Sequence, residues 1–164
     1  MGYFSPRLRS VEWLDNEILG REAMTEKAAP RQREASCGCG NLRVTTSAEP
    51  LEVYACSCLN CQRETGGAFS YGAAYPEASI KIVGDRKTWR RTVDSGRWIE
   101  TDFCPTCGVT VSYRMEAYPD VIGIAAGCFA DPDFPKPDKL YWAQRRHRWL
   151  DFPEGIELIE TQPD

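Results

Sequence analysis

The spacing of the cysteines is the feature that most constrains how this chain can fold. Seven of its eight cysteines stand in three tight groups, which are Cys37 and Cys39, then Cys56, Cys58 and Cys61, and finally Cys104 and Cys107. Thiolates are preferred ligands of tetrahedral Zn²⁺, and ligands a few residues apart let one turn direct two sulfurs at the same ion. The seven cysteines divide into four, which close a structural site, and three, which leave one position open for chemistry. The sequence therefore predicts two zinc ions per chain.

The two outer groups share a glycine directly after their second cysteine. These glycines are Gly40 and Gly108, and Pro105 lies inside the second turn. Glycine adopts a positive φ without steric cost, so backbone N–H groups can point at the sulfurs, and proline restricts the entry to its turn. We therefore predict that two facing turns form a four-cysteine structural zinc site, made by Cys37, Cys39, Cys104 and Cys107. The alternative is that one or both pairs are buried thiols.

The central group has no such glycine, and its short gaps bring three sulfurs round one ion, those of Cys56, Cys58 and Cys61. Cys128 and His147 are the remaining candidates for a fourth ligand. The apolar surroundings of Cys128 predict a core strand, and His147 lies in a surface arginine run, so we expect neither to bind metal. A three-thiolate zinc with an open position is suited to capturing an incoming thiol as a thiolate, because the ion lowers the pKa of that thiol.

Bulk properties exclude several classes of protein. With 164 residues and a mass of 18.5 kDa, we expect one domain with a real hydrophobic core. The net charge of −4 and the pI of about 5.2 disfavour nucleic acid as the main partner. Basic runs at 86–87, 90–91 and 145–148 predict solvated surface, with binding of a small anion as the alternative. Neither a secretory signal nor a membrane-spanning run is evident, so we expect a cytoplasmic protein whose cysteines bind metal rather than form disulfides.

The pattern of apolar residues predicts a mainly β protein. Short alternating segments separated by turn residues predict strands around 42–46, 69–75, 80–82, 98–103, 109–113, 121–125 and 140–142. We expect several small antiparallel sheets packed around the cysteine turns, with one helical turn at 61–66. Residues 1–34 contain no cysteine and are largely polar from Glu22 onward. They predict a flexible extension or a short helix, which precedes a zinc-binding domain at 35–160.

The order of these motifs resembles that of the glutathione-dependent formaldehyde-activating enzyme family, which includes centromere protein V. The resemblance covers about residues 36–160 and rests on Cys-x-Cys-Gly, Cys-x-Cys-x-x-Cys and Cys-Pro-x-Cys-Gly, with Gly66-Gly67-Ala68-Phe69 after the second motif. It implies small β-sheets, a structural zinc on the outer cysteine pairs and a catalytic zinc on the central three. The activity that it implies joins glutathione to formaldehyde and is classed with carbon–sulfur lyases. The family commonly has histidine where this chain has Ser57, so a candidate proton carrier is absent.

Functions of different kinds are compatible with this pattern. The first is an enzyme that binds a glutathione-like thiol at the open zinc and adds it to, or releases it from, a small aldehyde such as formaldehyde. In that case Arg63, two residues after Cys61, is the predicted contact for a substrate carboxylate. The second is a non-catalytic zinc-binding module that recruits another protein, with both zinc ions structural. A third is metal storage or redox sensing through the central cysteines.

Overall fold

The computed structural model describes residues 31–162, in which strands predominate and helices are short. The strands are β1 (Arg33–Ser36), β2 (Arg43–Thr46), β3 (Glu52–Cys56), β4 (Ser70–Pro76), β5 (Ile80–Val83), β6 (Lys87–Thr92), β7 (Trp98–Phe103), β8 (Thr110–Met115), β9 (Val121–Ala125), β10 (Lys139–Tyr141) and β11 (Glu157–Ile159). The α-helix α1 spans Leu59–Thr65, and 3₁₀ turns span Glu77–Ser79, Ala126–Phe129 and Ala143–Arg145. None of the helices in this part of the chain has the length and apolar character needed to span a membrane. The prediction of a mainly β protein is confirmed.

The strands form two sheets of unequal size. The small sheet has three antiparallel strands in the order β1-β2-β5, and the large sheet has eight in the order β11-β10-β3-β4-β9-β8-β7-β6. Strand β10 pairs in parallel with both β3 and β11, whereas the other neighbours in the large sheet are antiparallel. The large sheet therefore has more strands than the small sheets that the sequence predicts, and it is not purely antiparallel. Its parallel edge joins segments too distant in the chain for local patterns to reveal their pairing.

The two faces of the large sheet carry different side chains. One face is apolar and packs against the small sheet, where its Val53, Ala73 and Ile124 join Leu42 and Val44 in a buried core. Successive side chains of a strand point to opposite faces, so the residues between these apolar positions face the other way. That second face carries tyrosines and glycines instead of a second apolar core.

Two glycines make room for a pair of tyrosines on this second face. Tyr54 on β3 is paired with Gly72 on β4, and Tyr113 on β8 is paired with Gly123 on β9. The Tyr113 side chain lies so close to both glycines that a Cβ atom at either position would collide with it. The two tyrosine hydroxyl oxygens lie 2.6 Å apart, which is a hydrogen bond across the two strands between them. Glycine at both positions therefore makes the tyrosine pair possible.

The short helix α1 begins and ends at recognisable capping residues. The Sγ atom of Cys58, its N-cap residue, accepts a hydrogen bond from the Cys61 N–H at 3.4 Å. Gly66 follows the last helical residue with φ of 66°, a left-handed conformation that commonly ends helices. The helical turn predicted at 61–66 is thus a helix that begins at Leu59.

The prediction that Cys128 lies in a core strand is wrong. This residue lies in the 3₁₀ turn Ala126–Phe129, directly after β9. Strand and turn are both apolar because both pack against the same core, which also contains Phe129. Hydrophobicity alone cannot separate a buried strand from a buried turn that continues it.

The predicted boundary between an extension at 1–34 and a domain at 35–160 falls close to the first described strand. Strand β1 begins at Arg33, whose Nη1 donates a hydrogen bond to Glu49 at 2.9 Å. The last residues of the predicted extension thus belong to the small sheet. The short helix predicted around Val11, Leu14 and Ile18 lies outside the described residues, and the domain division remains a prediction.

We predict that Gly123→Ala destabilises the protein, because the added Cβ would push the Tyr113 ring off the sheet and break its bond with Tyr54. Overpacking of this kind costs about 1–3 kcal/mol. Urea denaturation measures the change in the free energy of unfolding. Gly127→Ala is the matched control, since a Cβ at Gly127 meets no atom within 4 Å. Equal stability of the two variants would contradict this account of the tyrosine pair.

Candidate metal centres

The four outer cysteines converge near the turns of two hairpins. Cys37 and Cys39 lie between β1 and β2, and Cys104 and Cys107 lie between β7 and β8. Their sulfurs all lie within 4.8 Å of one another, with 3.5 Å between Cys37 and Cys39 and 3.6 Å between Cys39 and Cys104. Sulfurs around a tetrahedral zinc lie about 3.8 Å apart, given Zn–S bonds of about 2.3 Å. This four-cysteine cluster could therefore hold a metal ion.

The glycine after each outer pair has the positive φ that its position predicts. The φ angle is 77° at Gly40 and 74° at Gly108. The Gly40 N–H donates to the Cys37 carbonyl at 3.0 Å, and the Gly108 N–H donates to the Cys104 carbonyl at 2.9 Å. Each glycine thus closes its own turn through the carbonyl of the first cysteine in the pair.

Backbone N–H groups in these turns favour the thiolate form of the cysteines. The Leu42 N–H donates to Cys37 Sγ at 3.2 Å, and this hydrogen bond lowers the pKa of Cys37 to about 6. A backbone hydrogen bond from Val109 likewise lowers the pKa of Cys107. Metal binding requires deprotonated thiols, so these two pKa shifts favour it, whereas side-chain hydrogen bonding with Cys37 raises the pKa of Cys39 to about 12.

The three central cysteines form a second cluster where β3 ends and α1 begins. The sulfurs of Cys56, Cys58 and Cys61 all lie within 4.8 Å of one another. Hydrogen bonds from the thiols of Cys56 and Cys61 lower the pKa of Cys58 to about 2, and the contact with Cys58 raises the pKa of Cys56. Cys58 is therefore the thiol of this cluster that most readily loses its proton, and the cluster could hold an ion with three ligands.

The two remaining candidates for a fourth ligand lie outside both clusters. Cys128 Sγ donates to the Thr110 carbonyl at 3.4 Å, and it packs against the core. His147 Nε2 lies 3.2 Å from Gln62 Oε1. Within residues 31–162, the central cluster therefore contains three cysteines and neither of these residues.

Gln62 attaches the loop of the central cysteines, residues 56–58, to the segment after β10. Its side-chain amide donates to the Ser57 carbonyl at 2.8 Å and to the Arg145 carbonyl at 3.0 Å. Ser57 itself is fully buried, and its hydroxyl has no hydrogen-bond partner among the described residues. The loop is therefore held mainly through its backbone and through Gln62, and the Ser57 hydroxyl does not line the cavity described next.

A cavity of about 840 Å³ opens on the face of the large sheet that carries Tyr54 and Tyr113, and all three central cysteines line it. Small-molecule sites commonly have volumes of about 300–1,000 Å³. Tyr54 and Tyr113 also line this cavity. A ligand in the cavity would thus reach both the cysteine cluster and the tyrosine hydroxyl groups.

Four cationic side chains line the cavity, namely Arg91, Arg97, Lys139 and Arg145. Arg63, the predicted carboxylate contact, is exposed on α1 and is not among the lining residues. Two of the basic runs in the sequence, at 90–91 and 145–148, contribute to the cavity. The sequence could not reveal which arginine of the Arg90-Arg91 pair faces inward, because that depends on the register of β6 in the sheet.

The sequence profile of the glutathione-dependent formaldehyde-activating enzyme family matches residues 32–145, which include all seven clustered cysteines. The chain belongs to this family. The family resemblance inferred from the order of the motifs is thus confirmed.

Two individual proteins are similar to this chain. A curated protein of Sordaria macrospora, provisionally named a glutathione-dependent formaldehyde-activating enzyme, is 27% identical over 77 residues. The match covers 47% of this chain and 32% of that relative, so the chain corresponds to about a third of the relative's length. A crystal structure of a Rhodobacter sphaeroides protein aligns with a TM-score of 0.48 and 17% identity, over 63% of this chain and 91% of that chain.

We predict that a chelator removes metal from the two clusters at different rates. The four-cysteine cluster has a full set of protein ligands, whereas an ion on the three-cysteine cluster has one exchangeable ligand and should leave first. Elemental analysis during a chelator titration of the zinc-loaded protein measures the metal that remains. A single bound ion, or simultaneous release of two, would contradict the division of the cysteines into four and three.

We further predict that Cys104→Ser impairs folding, whereas Cys58→Ser removes only one metal ion. Cys104→Ser should unfold or precipitate the domain, because metal binding at a site that joins distant strands is part of the folding free energy. Cys58→Ser should leave a folded protein with one metal ion fewer. Circular dichroism melting and metal analysis distinguish the two results, with Cys128→Ser as the control outside both clusters. An unchanged melting temperature for Cys104→Ser would refute its structural role.

Proposed function

We propose that this protein is a zinc-dependent, carbon–sulfur lyase-like enzyme with two zinc ions per chain. It binds a glutathione-like thiol at the open zinc held by Cys56, Cys58 and Cys61, and adds it to, or releases it from, a small aldehyde such as formaldehyde. The four-cysteine site is structural. The observation that carries this proposal is a cluster of three sulfurs that opens onto a cavity of small-molecule size.

The donor set fits zinc rather than a hard cation. Thiolate sulfur is a soft ligand that selects zinc over magnesium or calcium. In the four-cysteine cluster, the sulfur spacings of 3.5 and 3.6 Å are close to those around a tetrahedral zinc. Zinc at the central cluster would supply a Lewis acid that lowers the pKa of a thiol in its open position. All eight cysteines are free in the structure, which agrees with a reducing compartment such as the cytoplasm.

The bond changes of the reaction are simple. The sulfur of the thiol adds to the carbonyl carbon of the aldehyde, and the π electrons of the C=O bond move to its oxygen. That oxygen gains one proton, which balances the proton that the thiol lost. The product is a hydroxymethyl thioether when the aldehyde is formaldehyde, and the reverse sequence releases thiol and aldehyde.

The tyrosine pair supplies a hydrogen-bond donor for the aldehyde oxygen. One hydroxyl of Tyr54 and Tyr113 donates to the other, so the acceptor keeps its own O–H free to donate to a ligand. Burial raises the pKa of Tyr113 above its ordinary value, and burial together with Tyr113 raises the pKa of Tyr54. Both hydroxyls therefore stay protonated at neutral pH and can stabilise negative charge on the oxygen. Ser57, which stands where the family commonly has histidine, is buried and does not line the cavity, so the tyrosine pair is the proposed hydrogen-bond donor there.

We predict that the cobalt-substituted protein changes its absorption spectrum when glutathione is added. A thiol in the open position would convert three sulfur ligands into four, and cobalt spectra report the number of bound sulfurs. Arg63→Ala should weaken the effect if this exposed arginine, which does not line the cavity, reaches a glutathione carboxylate that extends beyond it. Cys58→Ser is the control without the intact three-cysteine cluster.

The same titration distinguishes the enzyme from the interaction module. No spectral change with glutathione or with simpler thiols would eliminate thiol capture. The non-catalytic zinc-binding module would then become the preferred function, with both ions structural.

A further inference from the structure

Arg91 lies in the cavity close to the helix that carries Cys61. It is on β6, at the edge of the large sheet, and it lines the cavity. Its Nη2 lies 3.8 Å from Glu64 Oε2 on α1. Glu64 follows Cys61 by three residues, a spacing that places two side chains on the same face of a helix. The guanidinium group therefore lies beside the part of the cavity that contains the central cysteine cluster.

The positive charge of Arg91 is poorly compensated by the protein. Its side chain is only 12% exposed, and its Nε and Nη1 are buried without a hydrogen-bond partner among the described residues. The 3.8 Å separation from Glu64 is too long for a hydrogen bond. A buried charge is costly unless it is paired and hydrogen-bonded, so this arrangement favours a ligand that supplies the missing partner.

The neighbouring arginine on the same strand shows the contrast. The Arg90 side chain is 58% exposed, and its Nε and Nη2 donate to Glu100 Oε1 at 2.9 and 2.7 Å. Its guanidinium also lies 4.5 Å from the centre of the Trp98 ring. Arg90 is thus satisfied within the protein, whereas Arg91 is not.

The other cations of the cavity are engaged or exposed. Lys139 Nζ lies 3.1 Å from Glu52 Oε1, and the Arg145 guanidinium lies 4.0 Å from the centre of the Trp142 ring. Arg97 is exposed. Among the cations that line the cavity, Arg91 is the one with buried guanidinium nitrogens that have no hydrogen-bond partner within residues 31–162.

We propose that Arg91 binds a carboxylate of the thiol substrate and makes the cavity selective for acidic thiols. This inference rests on the proposed thiol-binding function, and it adds a specificity-determining residue to it. The fork of a guanidinium group matches the two oxygens of a carboxylate, and such charge-assisted pairs are strong. An incoming carboxylate would compete with Glu64 for the group and supply the hydrogen bonds that Glu64 does not.

The test compares three thiols on the cobalt-substituted protein by absorption titration. Glutathione and 3-mercaptopropionate carry carboxylates, whereas 2-mercaptoethanol is neutral. Arg91→Gln should weaken binding of both acidic thiols by about 10- to 100-fold and leave 2-mercaptoethanol unchanged. Arg91→Lys, which keeps the charge but loses the fork, should give a smaller loss. Arg90→Gln is the matched control and should leave the binding of all three thiols unchanged.

Two results would overturn the assignment of Arg91. An equal loss for acidic and neutral thiols would mean that the residue supports the metal cluster or the fold, and cobalt content and melting temperature of each variant would show which. Unchanged binding of acidic thiols by Arg91→Gln would mean that the carboxylate lies elsewhere. If Arg91→Gln does not fold, the same comparison is made with Arg91→Lys.

A separate measurement distinguishes failure of this inference from failure of the proposed function. S-Methylglutathione keeps both carboxylates but has no free thiol, and its binding is measured by isothermal titration calorimetry. Weaker binding by Arg91→Gln than by the unmodified protein would support the carboxylate site even if no thiol changed the cobalt spectrum. The site would be refuted if S-methylglutathione bound equally well to the unmodified protein and to Arg91→Gln. It would also be refuted if S-methylglutathione bound to neither protein.

Discussion

The meeting of the cysteine turns between the two sheets is the constraint on which the rest of the structure depends. Cys37 and Cys104 are almost completely inaccessible and belong to the core that also contains Leu42, Val44 and Val111. A sheet of three short strands is marginal by itself, so its attachment to the large sheet matters for its stability. Sulfurs 65 residues apart approach to 3.6 Å there. An ion at this point would hold the β7–β8 hairpin, and with it Tyr113 and the cavity wall, in place against the small sheet.

The large sheet performs two tasks because its faces are chemically different. Its apolar face forms the core with the small sheet, and the opposite face supplies the cavity. Glycines at Gly72 and Gly123 would weaken ordinary strands, since they bury no side chain. Here they leave room for the Tyr113 side chain to lie close to the backbone and reach Tyr54. At these two positions, residues with low β propensity are present because the Tyr113 side chain lies close to the backbone.

Buried charges in this protein fall into two groups that indicate different roles. Asp102 is buried, accepts hydrogen bonds from Thr88 at 2.7 Å and Arg114 at 3.1 Å, and lies 3.5 Å from Arg86. A carboxylate satisfied in this way stabilises the strands around it. Arg91 has no comparable set of partners. The difference between a satisfied and an unsatisfied buried charge is the physical basis for assigning the first to structure and the second to ligand binding.

The sequence by itself determined the family, the mainly β class and the grouping of the cysteines that the structure brings together, because short spacings and turn glycines act locally. Gly40 and Gly108 need no knowledge of distant residues to take a positive φ. The cavity was decided only by tertiary structure. Whether Arg90 or Arg91 faces inward depends on strand register, and the Tyr54–Tyr113 bond depends on two intervening strands. Side chains 59 residues apart meet through sheet topology, and sheet topology is a property of pairings that no local pattern specifies.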